Sequence, residues 1–291
     1  MSGPHPTHAI DVTGVAHESD AAAQAPASPG LLSSDIHLGF RGCRAEYLLD
    51  SLDSVECDTL YLVGDIVDLW SLMRSVYWPK AHHEVLRALL ERARGGTRVV
   101  YVPGNHDRPF REFHGWVLGQ VQILMEAVHE TADGRRFLIL HGDEFDSVIR
   151  ASPLLESLGN RAYALVLRLN RYVNAVRRRL GYPYWSVAAF LKHKVKHAVS
   201  YIANFERAVA FEARRRGVDG MICGHIHRPT ITDIDGITYC NDGDWVESCT
   251  ALVEDFDGRF ALLRWTEESR LIGASVQDGP TRERLQDALA A

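Results

Sequence analysis

Five short clusters of Asp, Asn, His and Gly punctuate the chain: Asp35-Ile36-His37, Gly64-Asp65 with Asp68 close behind, Gly104-Asn105-His106-Asp107, His141-Gly142-Asp143 and Gly224-His225-Ile226-His227. Taken singly, each is more often structural than catalytic. Together they supply carboxylates, one amide oxygen and several imidazoles, a mixed oxygen and nitrogen donor set that suits Mn, Fe or Zn better than Mg or Ca. No cysteine belongs to the set, which argues against a structural zinc site. The chemistry on offer is that of bound divalent cations.

Each cluster closes a short apolar run: residues 31–34, 59–63, 98–102, 137–140 and 220–223. Runs this short and this apolar predict buried strands. Between the second and third, Val85, Leu86, Leu89 and Leu90 recur at helical spacing over 82–94, giving a βαβ rhythm. Ligands in such sheets bind beyond the carboxyl ends of the strands, where all five clusters fall. Residues 148–216 differ, being long, Arg-rich and helical in period: Leu158, Ala162, Leu165, Leu169 and Val173 form one stripe, and Phe205, Val209 and Ala213 begin another. Tyr182-Pro183-Tyr184-Trp185 interrupts them. The segment reads as a helical insertion standing over the strand ends. Beyond Pro229 the pattern turns to hairpins, with Asp235-Gly236 and Asp257-Gly258 as turn signals. The expected organisation is a disordered tail over 1–29, one domain over 30–270 carrying the insertion at 148–216, and a C-terminal segment over 271–291 with a short helix at 281–290.

At 291 residues, 46% hydrophobic and 24% charged, the composition excludes collagen-like, wholly disordered and disulfide-scaffold classes. Five cysteines without a CxxC pair support neither a disulfide framework nor a zinc finger and fit a reducing compartment. No apolar run nears the roughly 18 residues of a membrane span, and the first residues lack the basic and apolar regions of a signal peptide, so a cytoplasmic location is expected. The net charge of −6 conceals an asymmetry: residues 148–217 hold 14 Lys or Arg against three acids, leaving that segment near +11 and the remainder near −17. Such a block points to an anionic partner, whether nucleic acid, lipid surface or phosphorylated substrate.

The five motifs, in this order, resemble the calcineurin-like metallophosphoesterases, over roughly residues 30–265. Within that superfamily, the length, the basic helical insertion between His141 and His225, and Asp244-Trp245 after the last motif resemble the UDP-2,3-diacylglucosamine diphosphatases of lipid A synthesis. The resemblance implies a four-layer α/β/β/α sandwich with a helical cap and two divalent metal ions, Mn foremost and Fe or Zn as alternatives. It implies Asp35, His37 and His227 as ligands of one metal, Asn105, His141 and His225 of the other, and Asp65 as the bridge. Two cations about 3.5–4 Å apart acidify a shared water for in-line attack on phosphorus and neutralise phosphoryl oxygens.

In the wider superfamily the residue matching His106 stands at the leaving group, and Asp68 or Asp107 is placed to orient it. The diacylglucosamine diphosphatases carry Arg there. An imidazole acid matters little for expelling a phosphate but helps to expel an alkoxide, so His106 keeps phosphomonoester and phosphodiester substrates open. Asp143 and Asp146 are expected to cap or solvate the loop after His141, with support of a metal ligand from behind as the alternative. Trp70, Tyr77 and Trp78 are candidates for a substrate lip or for core packing, and His82, His83, His114 and His129 for surface or core positions. Around Tyr182, Tyr184 and Trp185, the cations Arg177, Arg178, Arg179, Lys192, Lys194 and Lys196 make a surface suited to anionic lipid. From these, Arg177, Arg178, Lys192, Lys196 and Trp185 are the substrate-binding candidates. The expected substrate is UDP-2,3-diacylglucosamine, an amphiphilic phosphate, cleaved to UMP and the acylated sugar phosphate, with peripheral contact to an anionic membrane. A nuclease or phospholipid phosphatase is the first rival, with nucleic acid the less favoured partner. A noncatalytic scaffold is disfavoured because every matched ligand position is filled.

Overall fold

The computed structural model describes residues 27–147, 174, 177–180, 196–266 and 270–274. The first half runs β1 (Ala27–Ser33), α1 (Ala45–Ser54), β2 (Glu56–Val63), α2 (Leu69–Arg74), α3 (Lys80–Arg94), β3 (Arg98–Val102), β4 (Val117–Leu118), β5 (Val121–Ile123), β6 (Ala127–Glu130) and β7 (Arg136–Ile139). It continues through α4 (Lys196–Arg216), β8 (Gly220–Cys223), β9 (Thr230–Ile234), β10 (Ile237–Asn241), β11 (Thr250–Glu254), β12 (Phe260–Arg264) and β13 (Arg270–Ala274). One sheet has eight strands in the order β13-β12-β11-β1-β2-β3-β5-β4, the other five in the order β6-β7-β8-β10-β9. At the heart of each the strands are parallel: β1, β2, β3 and β5 in the larger, β7, β8 and β10 in the smaller.

Parallel strands are buried on both faces, which is why their sequences are continuously apolar. Leu32, Tyr61, Val63, Val100 and Val102 from the larger sheet meet Phe137, Ile139, Ile222 and Cys240 from the smaller in one core. On the outer face of the larger sheet, Leu48 and Leu52 of α1 and Val85, Leu89 and Ala93 of α3 pack over Leu60, Val99 and Tyr101. The stripe of Phe205, Val209 and Ala213 on α4, expected in an insertion over the strand ends, instead covers Leu138, Met221 and Tyr239 on the outer face of the smaller sheet, because its apolar side chains meet that face. The layers are therefore α/β/β/α, as expected. Phe205 is wholly buried, an interaction of about 1.5–3 kcal/mol by area alone.

A polar tie crosses the inter-sheet core at the end opposite the motifs. His129 Nε2 lies 2.6 Å from Glu254 Oε2, and its Nδ1 lies 3.1 Å from the Tyr61 hydroxyl. Thus His129 is a core histidine, as is His82, whose Nδ1 accepts the Gly39 amide at 2.9 Å.

Several boundaries move. β1 begins at Ala27 rather than at residue 30, because Ala27 and Ser28 pair in register with Glu56 and Cys57. β13 carries the domain to Ala274, past the expected limit of 270, by pairing with β12. The stripe at 158–173, the remaining tail and the helix at 281–290 lie outside the described residues.

Candidate metal centre

All five clusters emerge from the carboxyl ends of parallel strands: Asp35 two residues past β1, Asp65 two past β2, Asn105 past β3, His141 past β7 and His225 past β8. The loops are zipped together by backbone bonds, the Asp35 amide donating to the Gly64 carbonyl at 3.0 Å and the His37 amide to the Asp65 carbonyl at 2.8 Å. Of the seven described non-glycine residues with positive φ, five are Asp35, His37, Asp65, His225 and His227. This backbone region costs an L-residue roughly 1–2 kcal/mol, and strain of that kind collects at functional sites.

The motif glycines answer to the same crowding. A Cβ on Gly104 would stand 2.2 Å from Asp65 Oδ1, one on Gly64 2.1 Å from His141 Nδ1, and one on Gly224 2.5 Å from Asp35 Oδ2. These positions must lack side chains for the carboxylates and imidazoles to converge.

Converge they do. Asp35, His37 and His227 offer ligand atoms within 4.8 Å of one another, and so do Asp35, Asp65 and His141. His227 Nε2 is 3.0 Å from Asp35 Oδ1, and His37 Nε2 is 3.8 Å from the same oxygen. His141 Nε2 stands 3.2 Å from Asn105 Oδ1, with the His141 and His225 rings 5.2 Å apart. Between the two groups lies Asp65, whose Oδ2 is 3.9 Å from His37 Nε2 and 3.6 Å from His141 Nε2. That is the place a bridging carboxylate requires.

The donor set fits divalent cations. Ligands about 2.0–2.2 Å from one ion stand some 3–3.5 Å from each other, close to the separations observed. His37 Nε2 is buried without a hydrogen-bond partner, a costly arrangement unless a cation meets it. Burial alone would raise the Asp35 and Asp65 carboxyls, but the facing imidazoles, His227 for Asp35 and His141 for Asp65, hold both well below the usual carboxylate range. Burial would likewise lower His37, yet the Asp68, Asp65 and Asp35 carboxylates push it up to about 9. In the metal-free protein, protons on imidazoles balance charge that cations would otherwise carry.

Three of the candidate imidazoles are held by a further contact. His141 Nδ1 lies 3.0 Å from the Val63 carbonyl, His37 Nδ1 3.4 Å from Asp68 Oδ2, and His225 Nε2 3.0 Å from Asp146 Oδ1. Such contacts fix ring orientation and tautomer. Asp68 itself is pinned by the Ser71 amide and hydroxyl, both at 2.7 Å.

His106 sits beside this cluster, its amide on Asp65 Oδ1 at 2.8 Å and its Nδ1 3.0 Å from Asp68 Oδ1. Of the two carboxylates considered for orienting it, Asp68 does so; Asp107 instead accepts the Ile66 and Gly104 amides. The Trp70 ring lies over His106 at 4.2 Å between centroids, half exposed, and so belongs to the rim of the site. Tyr77 and Trp78 pack against His82 instead. Asp143 pairs with Arg111 at 2.6 Å. Asp146 contacts a candidate ligand, the alternative to loop capping considered for it.

Arg177 and Arg178 lie on a helical turn at 177–179, and Lys196 opens α4, while Trp185 and Lys192 lie outside the described residues. Sequence reading did not single out Ser71 or the Val63 carbonyl, and took Asp244 only with Trp245 as a family motif; Asp244 Oδ1 accepts the Val246 and Glu247 amides and turns the chain so that Trp245 Nε1 reaches the Ser33 hydroxyl at 2.7 Å. The available signal for Ser71 was the Asp-x-x-Ser spacing of a helix cap at Asp68.

A family model described as calcineurin-like phosphoesterase matches residues 31–229. Similar curated proteins include the UDP-2,3-diacylglucosamine hydrolase of Photorhabdus laumondii subsp. laumondii, 24% identical over 186 residues that cover 62% of this chain and 73% of that one. The UDP-2,3-diacylglucosamine hydrolase of Xanthomonas campestris pv. campestris is 28% identical over 251 residues, covering 78% and 96%. Among solved structures, the E. coli phosphoesterase Yfce aligns at 14% identity and TM-score 0.46, covering 86% of this chain and 99% of that one.

Proposed function

The chain belongs to the calcineurin-like phosphoesterase family and is a metal-dependent hydrolase, and from that premise we propose that it cleaves the phosphoanhydride of UDP-2,3-diacylglucosamine to UMP and the acylated sugar phosphate. The observation that carries the reading is Asp65, whose Oδ2 is 3.9 Å from His37 Nε2 and 3.6 Å from His141 Nε2, with Asp35 and His227 beyond the one and Asn105 beside the other. In this reading Asp35, His37 and His227 would hold one divalent cation and Asn105, His141 and His225 the other, Mn foremost, with Asp65 serving both. Bound cations supply an acidified water and neutralise phosphoryl oxygens.

The chain's own side chains do the rest. Asp35, His37 and His227 set one side of the phosphoryl site, and His141, held by Val63, sets the other. His106, oriented by Asp68, stands ready to hydrogen-bond the departing oxygen. The named relatives support the substrate class, and the basic segment around Arg177, Arg178, Trp185, Lys192 and Lys196 supplies cations for an anionic amphiphile or the surface that contains it. Such a substrate would bring the enzyme to the cytoplasmic face of a membrane as a peripheral protein. Among the described residues no helix is long and apolar enough to cross a bilayer.

A second reading follows from His106. An imidazole tied to Asp68 and backed by Trp70 is equipment for expelling a poor leaving group, which favours a phosphomonoester or phosphodiester of another phospholipid or nucleotide. The test is turnover of UDP-2,3-diacylglucosamine in mixed micelles with Mn²⁺, beside a simple monoester and diester, with Asp65→Ala as blank. UMP release lost in the variant supports the first reading; turnover of simple esters alone replaces it with the second.

A further inference from the structure

His225 differs from the other candidate ligands in the partner that holds its ring. For His141 that partner is a carbonyl of β2, and for His37 it is a carboxylate capping α2. The carbonyl belongs to a strand of the larger sheet, and the carboxylate to the cap of a short helix that follows that strand. His225 Nε2 faces Asp146 Oδ1 at 3.0 Å, and Asp146 lies on the short 3-10 turn Asp143–Ser147. The same Asp146 oxygen accepts the hydroxyl of Tyr201 at 2.5 Å, from the second turn of α4. One carboxylate oxygen is thus shared by a candidate ligand and by the two elements that flank positions 148–195.

Packing reinforces the junction. Phe145, the neighbour of Asp146, is buried edge-on against Phe205 at 5.6 Å, and the Phe205 ring lies 6.3 Å from that of His225. Tyr201 adds a ring contact to Phe205 at 6.5 Å. Gly142 has φ +110°, and a Cβ there would stand 2.8 Å from the Phe205 ring. α4 is therefore seated against the turn closely enough that the Tyr201 bond is held in place rather than incidental.

We infer that Asp146 is a positioning residue for His225, and that with Tyr201 it forms a clasp making metal retention at the Asn105, His141, His225 position depend on the docking of α4. The inference deepens the proposed function and rests on its assignment of His225 as a ligand. A carboxylate held against the ring fixes it and raises its basicity, and loss of such a partner commonly costs 10- to 100-fold in metal affinity. The other position, served by Asp35, His37 and His227, has no such link to α4 through Asp146.

The test is titration of Mn²⁺ into the metal-free full-length protein, followed by calorimetry and by the electron paramagnetic resonance signal of free Mn²⁺. Asp146→Ala should weaken one of two sites by 10- to 100-fold and leave the other unchanged. Tyr201→Phe should weaken the same site by a smaller factor, and Asp146→Asn, which keeps an acceptor, should fall between wild type and Asp146→Ala. An Asp146→Ala isotherm equal to wild type overturns the positioning role. A Tyr201→Phe isotherm equal to wild type overturns the clasp, and so does equal weakening of both sites with native circular dichroism. His225→Ala separates the premise from the inference: if it leaves two intact sites, the ligand assignment fails and the inference falls with it.

Discussion

His106 Nδ1 and Asp68 Oδ1 stand 3.0 Å apart, and the other oxygen of the same carboxylate lies 3.4 Å from His37 Nδ1. One side chain therefore orients both a candidate metal ligand and a candidate leaving-group acid. Asp68 can do this because it also caps α2, with the Ser71 amide and hydroxyl fixing its plane. Burial would raise its carboxyl, but the two imidazoles hold it well below the usual range, which keeps it an acceptor at neutral pH.

If His106 protonates the departing oxygen, its removal should matter in proportion to how poor the leaving group is. His106→Asn should lower kcat/KM on alkyl phosphate esters by about 10²–10⁴-fold, and much less on a phosphoanhydride or a nitrophenyl ester. Asp68→Asn should show the same dependence on leaving group, with added loss of metal affinity through His37. A uniform decrease across the series would remove the acid role.

Gly104 supplies a purely steric test. A methyl group there would stand 2.2 Å from Asp65 Oδ1 and 2.8 Å from His141 Nε2. Neither neighbour has room to yield, since Asp65 is buried and His141 is anchored to Val63. Gly104→Ala should abolish measurable turnover, weaken Mn²⁺ binding and destabilise by about 1–3 kcal/mol. Calorimetric titration and thermal unfolding would report both effects, and a variant with native metal affinity would contradict the packing.

Much of this was legible in the sequence because the site and the parallel strands obey the same rule. A strand buried on both faces must be apolar until it ends, so Arg98–Val102 and Gly220–Cys223 announce themselves, and the polar residues that follow fall at the ligand-binding edge. The hairpin of β9 and β10 was equally plain, since Asp235 and Gly236 both take positive φ in its two-residue turn. What did not show were elements too short for a period to emerge: β4 with two residues, β5 with three, and α2 with six. Nor could spacing choose between Asp68 and Asp107 as the partner of His106. That choice is made in three dimensions, where the amides of Ile66 and Gly104 take up Asp107 first.

Metal affinity should rise with pH. In the metal-free protein burial would lower His37, but its carboxylate neighbours win and raise it to about 9, so at neutral pH it carries a proton that a cation must displace. The apparent affinity for Mn²⁺ should gain up to about tenfold per pH unit for each proton released, levelling above pH 9. The same shift stabilises the metal-free fold below the unfolded value near 6.5, and that contribution is lost as pH rises from there through 9. Calorimetry in buffers of different ionisation enthalpy would count the protons. Affinity independent of pH between 6.5 and 9 would refute the protonated state.

The last expectation separates stability from chemistry. His129, Glu254 and Tyr61 join the two sheets at the end away from the metal cluster, with Glu254 wholly buried and its second oxygen accepting the Ala132 amide at 2.7 Å. Replacing one member leaves buried polar partners unsatisfied, which costs about 1–3 kcal/mol, and more when the stranded group is charged. His129→Leu should therefore lower the melting temperature by several degrees, at roughly 2–4 °C per kcal/mol for a domain of this size. It should leave kcat/KM and metal stoichiometry as they are at 25 °C, because none of its contacts reaches a candidate ligand. A fall in turnover at a temperature where the variant is fully folded would show that the sheets transmit strain to the site.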